Sequence, residues 1–405
     1  MSTPKRKIAL FADVLEENFD GVSITLHKLL KRAPADRFEF LVITPHPPKK
    51  PEKIPYEIVV CNFINLPFQK GYRLGIPGKE VDEALSEFQP DLIHFTSPSL
   101  LGRYAIKYGK KNQVPVLNVY HTHFPAYLKY YIGNHGDWLL GPFIKYFVMW
   151  FYRNSNLTLV PTRPIKKDLM KLGIRRKKMH VWGRAIETGS FDPAFRDDQL
   201  FSSDIPDENK KVLFVSRLVK EKDLNVLLSV YRQLRRLDKT VTMVITGEGP
   251  KRKSLERKMP HALFTGKVTG NELAKVYASC DLFFFPSTSE TFGNVIIEAM
   301  ASGLPVVSAK AGGPIALVYH GKNGFLINPR DISGFTSHIL QILNNPTLRK
   351  SMGQEAKGSV HSKSLEDLHN QLWKIYETTI SRFHAKHMGV PSMKAVPELA
   401  TQPSS

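Results

Sequence analysis

The chain has 405 residues, 42% hydrophobic and 23% charged, a balance that suits two globular domains and excludes collagen-like, disordered and simple repeat architectures. Lys and Arg number 57 against 37 Asp and Glu, a formal net charge of +20, so an anionic partner is expected: nucleic acid, an anionic membrane or a phosphorylated ligand. The two cysteines, Cys61 and Cys280, lie in or beside apolar runs, which argues against a disulfide framework or a cysteine metal site and for a reducing, cytoplasmic setting.

From the N-terminus, MSTPKRKIALFADV places basic residues before an apolar run too short for a signal peptide, with no small-residue cleavage site, and reads as a first strand. KIALFADV, FEFLVITP, YEIVVCN, DLIHFTS, VPVLNVYH, NLTLVPT and KMHVWGR then follow as short β-branched and aromatic runs. VSITLHKLLKRA, EVDEALSEF, GRYAIKYGKK and IKKDLMKLG are interleaved with them at helical spacing. The pattern repeats in the second half, where KVLFVSR, TVTMVITG, ALFTGKV, DLFFFPS, PVVSAK and FLINP alternate with NVLLSVYRQLRRL, RKSLERKM, NELAKVYASC, NVIIEAMASG and ISGFTSHILQIL. Strand-helix alternation of this kind predicts parallel sheets covered by helices, here two doubly wound α/β domains. The polar, acidic, turn-rich stretch over 188–211 is the expected linker, which divides the chain into domains 1–187 and 212–385. The tail over 386–405 has no periodicity and is expected to be disordered. Residues 1–186 hold 29 Lys and Arg against 15 Asp and Glu, so the anion attraction concentrates in the first half.

The stretch DLFFFPSTSETFGNVIIEAMASG (281–303) carries the most chemistry. A hydrophobic strand ends at Pro286, a Ser/Thr-rich loop holds Glu290, and a helix starting near Asn294 carries Glu298, eight residues further on. A loop carboxylate at a strand end can accept hydrogen bonds from sugar hydroxyls, and one near a helix start can grip a ribose diol. Between them Thr291, Phe292 and Gly293 present backbone amides at a helix N-terminus, a natural place for a phosphate. Either glutamate taken alone is equally an ordinary surface charge. His121 and His123 end the apolar run VPVLNVYH; with no nearby Cys or carboxylate to complete a coordination sphere, no metal is expected there.

This string resembles the E-x7-E element of retaining glycosyltransferases of family 4, and the likeness covers most of residues 5–380. VSRLVKEKDLNVLL is similar to the family's first strand and loop of the second domain, whose Arg and Lys hold the donor diphosphate; those would be Arg217 and Lys222. Arg and Lys beside Glu221 and Asp223 are otherwise a solvated charge cluster. VITGEGPKRKSLE resembles the next strand and its Gly-rich turn, which makes Gly247 a donor-binding residue, and SAKAGGPIALVYHGKNGFLINPRD resembles the final block. In the first half DGVS sits where the family has a glycine-rich loop, so Gly21 is expected to permit a tight turn and bring an amide to the phosphate or sugar. Asp20 stands where a second glycine is common. YHTHFPAY matches the strand-end His motif, which implies that His121 contacts the donor sugar or shapes the reaction face and that His123 faces the acceptor. In WGRAIE, where relatives read G-V-D, Arg184 would reach the cleft from the hinge.

The resemblance implies the GT-B fold, two Rossmann-like domains facing a central cleft. With Arg217, Lys222 and Glu290 joined by Thr291, Phe292, Gly293, Asn294 and Glu298 as donor contacts, it implies a retaining transferase. Such an enzyme moves a hexose from a UDP or GDP type of nucleotide sugar. No acidic D-x-D cluster sits at a strand end, so cations would stand in for a metal, and no cofactor is expected. The aromatic and basic stretch over 126–153 is either an interfacial amphipathic helix or a buried domain helix. The first reading makes the acceptor a lipid or glycolipid and the protein a peripheral one at the cytoplasmic face of an anionic membrane; glycolipid-making members are the nearest in pattern. A soluble sugar or polysaccharide acceptor is the alternative. A nucleic-acid-binding protein is the remaining one, although no nucleic-acid module is legible.

Overall fold

The computed structural model describes residues 4–17, 19, 21–65, 73–121, 146–185, 187, 189–360 and 364–388. Asp20, His123, most of the stretch over 126–153 and the tail beyond 388 lie outside the described residues.

The chain forms two compact units. In the first, β1 (Arg6–Phe11), β2 (Phe38–Thr44), β3 (Glu57–Val60), β6 (Leu92–Phe95), β7 (Val116–Val119), β8 (Leu157–Val160) and β9 (Met179–Val181) make a parallel sheet in the order β3-β2-β1-β6-β7-β8-β9. A separate antiparallel hairpin joins β4 (Asn62–Asn65) to β5 (Arg73–Ile76). The crossovers include α1 (Gly21–Arg32), α2 (Lys79–Phe88), α3 (Leu100–Lys111), a helix α4 over 146–154 and α5 (Arg163–Lys171). Strands such as LIHF are buried at every position, as a sheet covered on both faces requires. The described end of the aromatic stretch is therefore largely the buried kind of helix, since Val148, Met149, Phe151 and Tyr152 are in the core; Tyr146 and Phe147 stay exposed.

In the second unit β10 (Lys210–Val215), β11 (Val241–Thr246), β12 (Leu263–Gly266), β13 (Leu282–Phe285), β14 (Val306–Ala309) and β15 (Gly324–Ile327) form a parallel sheet in the order β12-β11-β10-β13-β14-β15. Its helices are α6 (Leu224–Leu237), α7 (Arg252–Lys258), α8 (Gly270–Ala278), α9 (Asn294–Ala301), α10 (Ile332–Leu343) and α11 (Pro346–Val360). The last helix, α12 (Leu365–Met388), follows. The expected double α/β architecture is therefore present.

The boundaries differ from the sequence reading. Residues 183–365 form the second unit, with no free linker over 188–211, and the chain from Glu366 onward counts with the first unit. Two apolar residues in a polar stretch explain the first difference: Phe201 and Ile205 join the core around the second sheet. The Asp197 amide donates to Ser279 Oγ at 3.0 Å and Lys357 pairs with Asp192 at 2.8 Å. Aromatic packing explains the second. Trp373 of α12 lies 5.3 Å from the Phe38 ring, Tyr376 shares a 2.7 Å hydrogen bond with His94, and Trp182 Nε1 donates to the Leu368 carbonyl. Burial pulls the His94 imidazole down to about 3, so the ring is neutral in this contact.

Candidate active site

In each sheet the strand order reverses once, and the carboxyl ends diverge at that point to leave a crevice for ligand. In the second unit the reversal lies between β10 and β13. The loop after β10 carries Arg217, exposed, and Lys222; the loop after β13 carries Glu290. Lys222 Nζ pairs with Glu290 Oε1, and these side chains are only 14% and 19% exposed. The neighbouring acids are otherwise engaged. Asp223 Oδ2 accepts from both the amide and the hydroxyl of Thr288 at 2.8 Å, with its own backbone in the left-handed region at φ 52°. Glu221 is buried, and its backbone carbonyl accepts from Ser289 Oγ at 2.8 Å. Lys222 thus reaches from the loop after β10 to Glu290 on the loop after β13.

Glycines hold the two loops in place. Gly247 (φ 135°) lies so close to the Ser216 carbonyl that a Cβ would collide with it, which fits the loop beyond β10 against the turn beyond β11. Gly313 donates its amide to the Glu290 carbonyl at 2.8 Å, while a Cβ at Gly312 would strike that carbonyl and one at Gly313 the Phe292 backbone. Gly293 enters α9 at φ 94° with no side-chain cap on the helix. The first amides of α9, beginning at exposed Asn294, are thereby directed toward ligand or solvent. Thr291 is part-buried and Phe292 is 8% exposed. Glu298 sits in the second turn of α9, where Tyr277 Oη donates to it at 2.9 Å. Tyr277 was not foreseen; burial, and then Glu298, hold its hydroxyl well above the ordinary range. The crevice of the second unit so gathers two cations, two oriented carboxylates and an uncapped helix start, a set able to receive an anionic group and an adjoining polyol.

The first unit carries fewer of the expected residues. His121 directly follows β7, its amide bonded to the Val119 carbonyl at 3.0 Å, after a buried Tyr120 whose ring lies 5.2 Å from Tyr152. Gly21 opens α1 next to Asp20, which lies outside the described residues, and a Cβ at Gly21 would meet open space. Arg184 counts with the second unit, and burial pulls its guanidinium down to about 10. One residue was missed. Asp13 follows β1 at the reversal between β1 and β6, where burial pushes its carboxyl up to about 6 against the hydroxyls of Ser99, Ser97 and Thr96, which pull it down. Its only sequence signal was an acid at a strand end, LFAD, with a second strand ending in TSPS.

Among the described residues no group of three or more His, Cys, Asp or Glu side chains comes together as a metal site. Nor is any described helix long and apolar enough to cross a membrane. Cys61 and Cys280 are both free and buried.

A family model for Glycosyltransferase Family 4 matches residues 19–190, and one for Glycosyl transferases group 1 matches 195–359. A GDP-mannose-dependent alpha-mannosyltransferase of Corynebacterium glutamicum is 31% identical over 93% of this chain and 89% of its own. The chain belongs to glycosyltransferase family 4. The family 4 enzyme is also similar to the sulfoquinovosyl transferase SQD2 of Arabidopsis thaliana, 33% identical over 79% of this chain, of whose length it spans 63%. An alpha-monoglucosyldiacylglycerol synthase of Streptococcus pneumoniae is 27% identical over 56% of this chain and 53% of its own. The Anabaena Alr3699/HepE structure in complex with UDP and glucose superposes with a TM-score of 0.72 at 20% identity, over 91% of this chain and 99% of that one. That likeness shows the fold, GT-B. The protein is therefore a glycosyltransferase, a hexosyltransferase with relatives that act on lipid.

Proposed function

We propose that this enzyme moves a hexose, with retention, from a UDP or GDP sugar to a lipid or glycolipid acceptor at an anionic membrane surface, and needs no metal to do so. The Lys222–Glu290 pair at the strand reversal beside the uncapped start of α9 carries the reading. A diphosphate settling on the α9 amides draws Lys222 away from Glu290 and takes Arg217 as a second cation. Glu290, released, accepts hydrogen bonds from sugar hydroxyls, and Glu298, held by Tyr277, takes the ribose diol. The bond between the sugar's anomeric carbon and the diphosphate oxygen breaks with its electron pair going to the diphosphate. Arg217, Lys222 and the helix start stabilise that charge. The acceptor oxygen bonds to the same face, and its proton passes to the departing diphosphate oxygen, so no protein nucleophile is required. His121 keeps the role that the family motif implies, at the sugar or the reaction face.

The names of the mannosyltransferase and of the HepE complex support a GDP or UDP donor, and the diacylglycerol in the third relative's name supports a lipid acceptor. The excess of 29 Lys and Arg over 15 Asp and Glu in residues 1–186 favours an anionic surface. The test is a transfer assay in EDTA. It pairs UDP- and GDP-hexoses with anionic vesicles containing diacylglycerol and, separately, with soluble sugars, and reads the product's anomeric configuration by NMR. A lipid product with the donor's configuration supports the reading. An inverted product, a product on soluble sugars alone, or dependence on added metal contradicts it.

A further inference from the structure

The first unit carries a second cationic concavity that the transfer reaction does not use. It is a cavity of about 550 Å³ between β9, α5 and α12, with Met179 and Ile375 in its apolar part. Lys166, Arg176, Lys177 and Arg382 stand around it, and no carboxylate lines it. On the two flanking helices, Asp168 of α5 pairs with Lys171 at 3.3 Å and Glu377 of α12 with Arg37 at 2.6 Å. Behind the wall Lys178 is pinned through the Arg153 and Ser155 carbonyls at 2.6 and 2.9 Å. Burial first, and then Arg175, Lys110, Lys386 and Lys177, lower its affinity for a proton. This corner is therefore rich in like charge that a bound anion would relieve.

Four cations on three separate segments, around a partly apolar concavity, differ from a row of solvated lysines on one helix face. The cavity is roomier than a bare phosphate needs and falls in the range of small-ligand sites, about 300–1,000 Å³. We infer that it binds a phosphate ester, the phosphate between Arg176, Lys177, Lys166 and Arg382 and a short organic substituent against Met179 and Ile375. Two sources offer that chemistry, a phospholipid headgroup and a free phosphorylated small molecule. The site stands apart from His121, the residue of this unit placed at the reaction face. Met179 and Leu157, both in the cavity wall, begin β9 and β8, whereas His121 follows the carboxyl end of β7. Occupancy here and transfer are thus separable.

The test compares the full chain with an Arg176→Ser/Lys177→Ser variant and with a Lys107→Ser/Lys111→Ser control, which removes two exposed cations from α3 of the same unit. Two probes are used at fixed ionic strength: vesicles of phosphatidylglycerol in phosphatidylcholine, and glycerol 3-phosphate. The four altered cations, Arg176, Lys177, Lys107 and Lys111, are all exposed, so the variants should fold, which melting curves equal to the parent's verify. The expected result is that the cavity variant loses about tenfold or more in binding to a probe while the control stays within about twofold. Loss against vesicles alone identifies a lipid headgroup, loss against glycerol 3-phosphate alone a free ester, and loss against both a site open to either. Equal losses in variant and control, or no binding of either probe, would overturn the inference.

Discussion

Glu290 has two partners to serve, Lys222 in the free protein and a sugar in the proposed complex, and this makes its substitution informative. Glu290→Gln releases Lys222 from its ion pair, so UDP or GDP affinity should hold or rise while the transfer rate falls by about 10² or more. Calorimetry and single-turnover rates measured side by side check that split; parallel loss of both would place Glu290 elsewhere. Asp13 makes a different prediction. Its carboxyl is raised in the fold from an ordinary 3.8 to about 6, so the folded state binds a proton more tightly than the unfolded chain does. The protonated form is the stabilised one, and that stability is present below about pH 4 and lost as pH rises through about 6. Asp13→Asn should therefore stabilise the protein by up to about 3 kcal/mol at pH 7.5 and by little at pH 4; melting curves of both proteins across that interval read it. Neither role was fully legible in the sequence. The spacing of Glu290 and Glu298 marked the crevice, but the Lys222 partner lies 68 residues away, and nothing in linear order shows that Asp13 shares a strand reversal with Ser97 and Ser99.

At the scale of elements, short β-branched and aromatic runs announce the strands of both sheets because parallel strands are buried on both faces. The hairpin of β4 and β5 was missed for the converse reason: NFIN is exposed at every position, and its pairing owes nothing to an apolar face. The Gly312–Gly313 turn shows an element acting on the site, since it leaves no space for a side chain against the Glu290–Phe292 backbone. Gly313→Ala should cost about 1–3 kcal/mol of stability by overpacking, and the displaced loop should lower transfer by more than the loss of folded protein accounts for. Melting temperature and rate, taken on the same samples, distinguish the two effects. The α12 helix carries the other prediction of this scale. Trp373, 2% exposed, packs on Phe38 and Phe40 of the first sheet, so Trp373→Ala should cost the first unit about 3–5 kcal/mol. In calorimetry the transition shifted by UDP or GDP should move less than the other one.

Over the whole molecule, the alternation of strands and helices was enough to read two α/β units, whereas their boundaries were not readable. Membership in a unit depends on where apolar side chains find partners. Phe201 and Ile205 found theirs in the second core, inside a stretch whose composition resembles a linker. Trp373 and Tyr376 found theirs in the first unit after the chain had completed the second. The net charge of +20 is likewise a property of the whole, and composition alone left nucleic acid, membrane and phosphorylated ligand open. In the proposed reaction, part of that charge, at Arg217 and Lys222, meets the donor's diphosphate. If the remainder serves an anionic surface, vesicle binding should weaken steeply as salt rises from 50 to 500 mM, as vesicle sedimentation would show.

In the proposed reaction, cations and a helix start in the second unit receive the donor's diphosphate without a metal. Titration of UDP and GDP in EDTA into the parent protein and into Arg217→Ala, Lys222→Ala and the double variant tests it most directly. At about 1.5–3 kcal/mol for each charged contact, the parent should bind, each single variant should lose about 10- to 100-fold in affinity, and the double variant should lose more. Undiminished affinity in the double variant, or binding by the parent only when a divalent metal is restored, would contradict it.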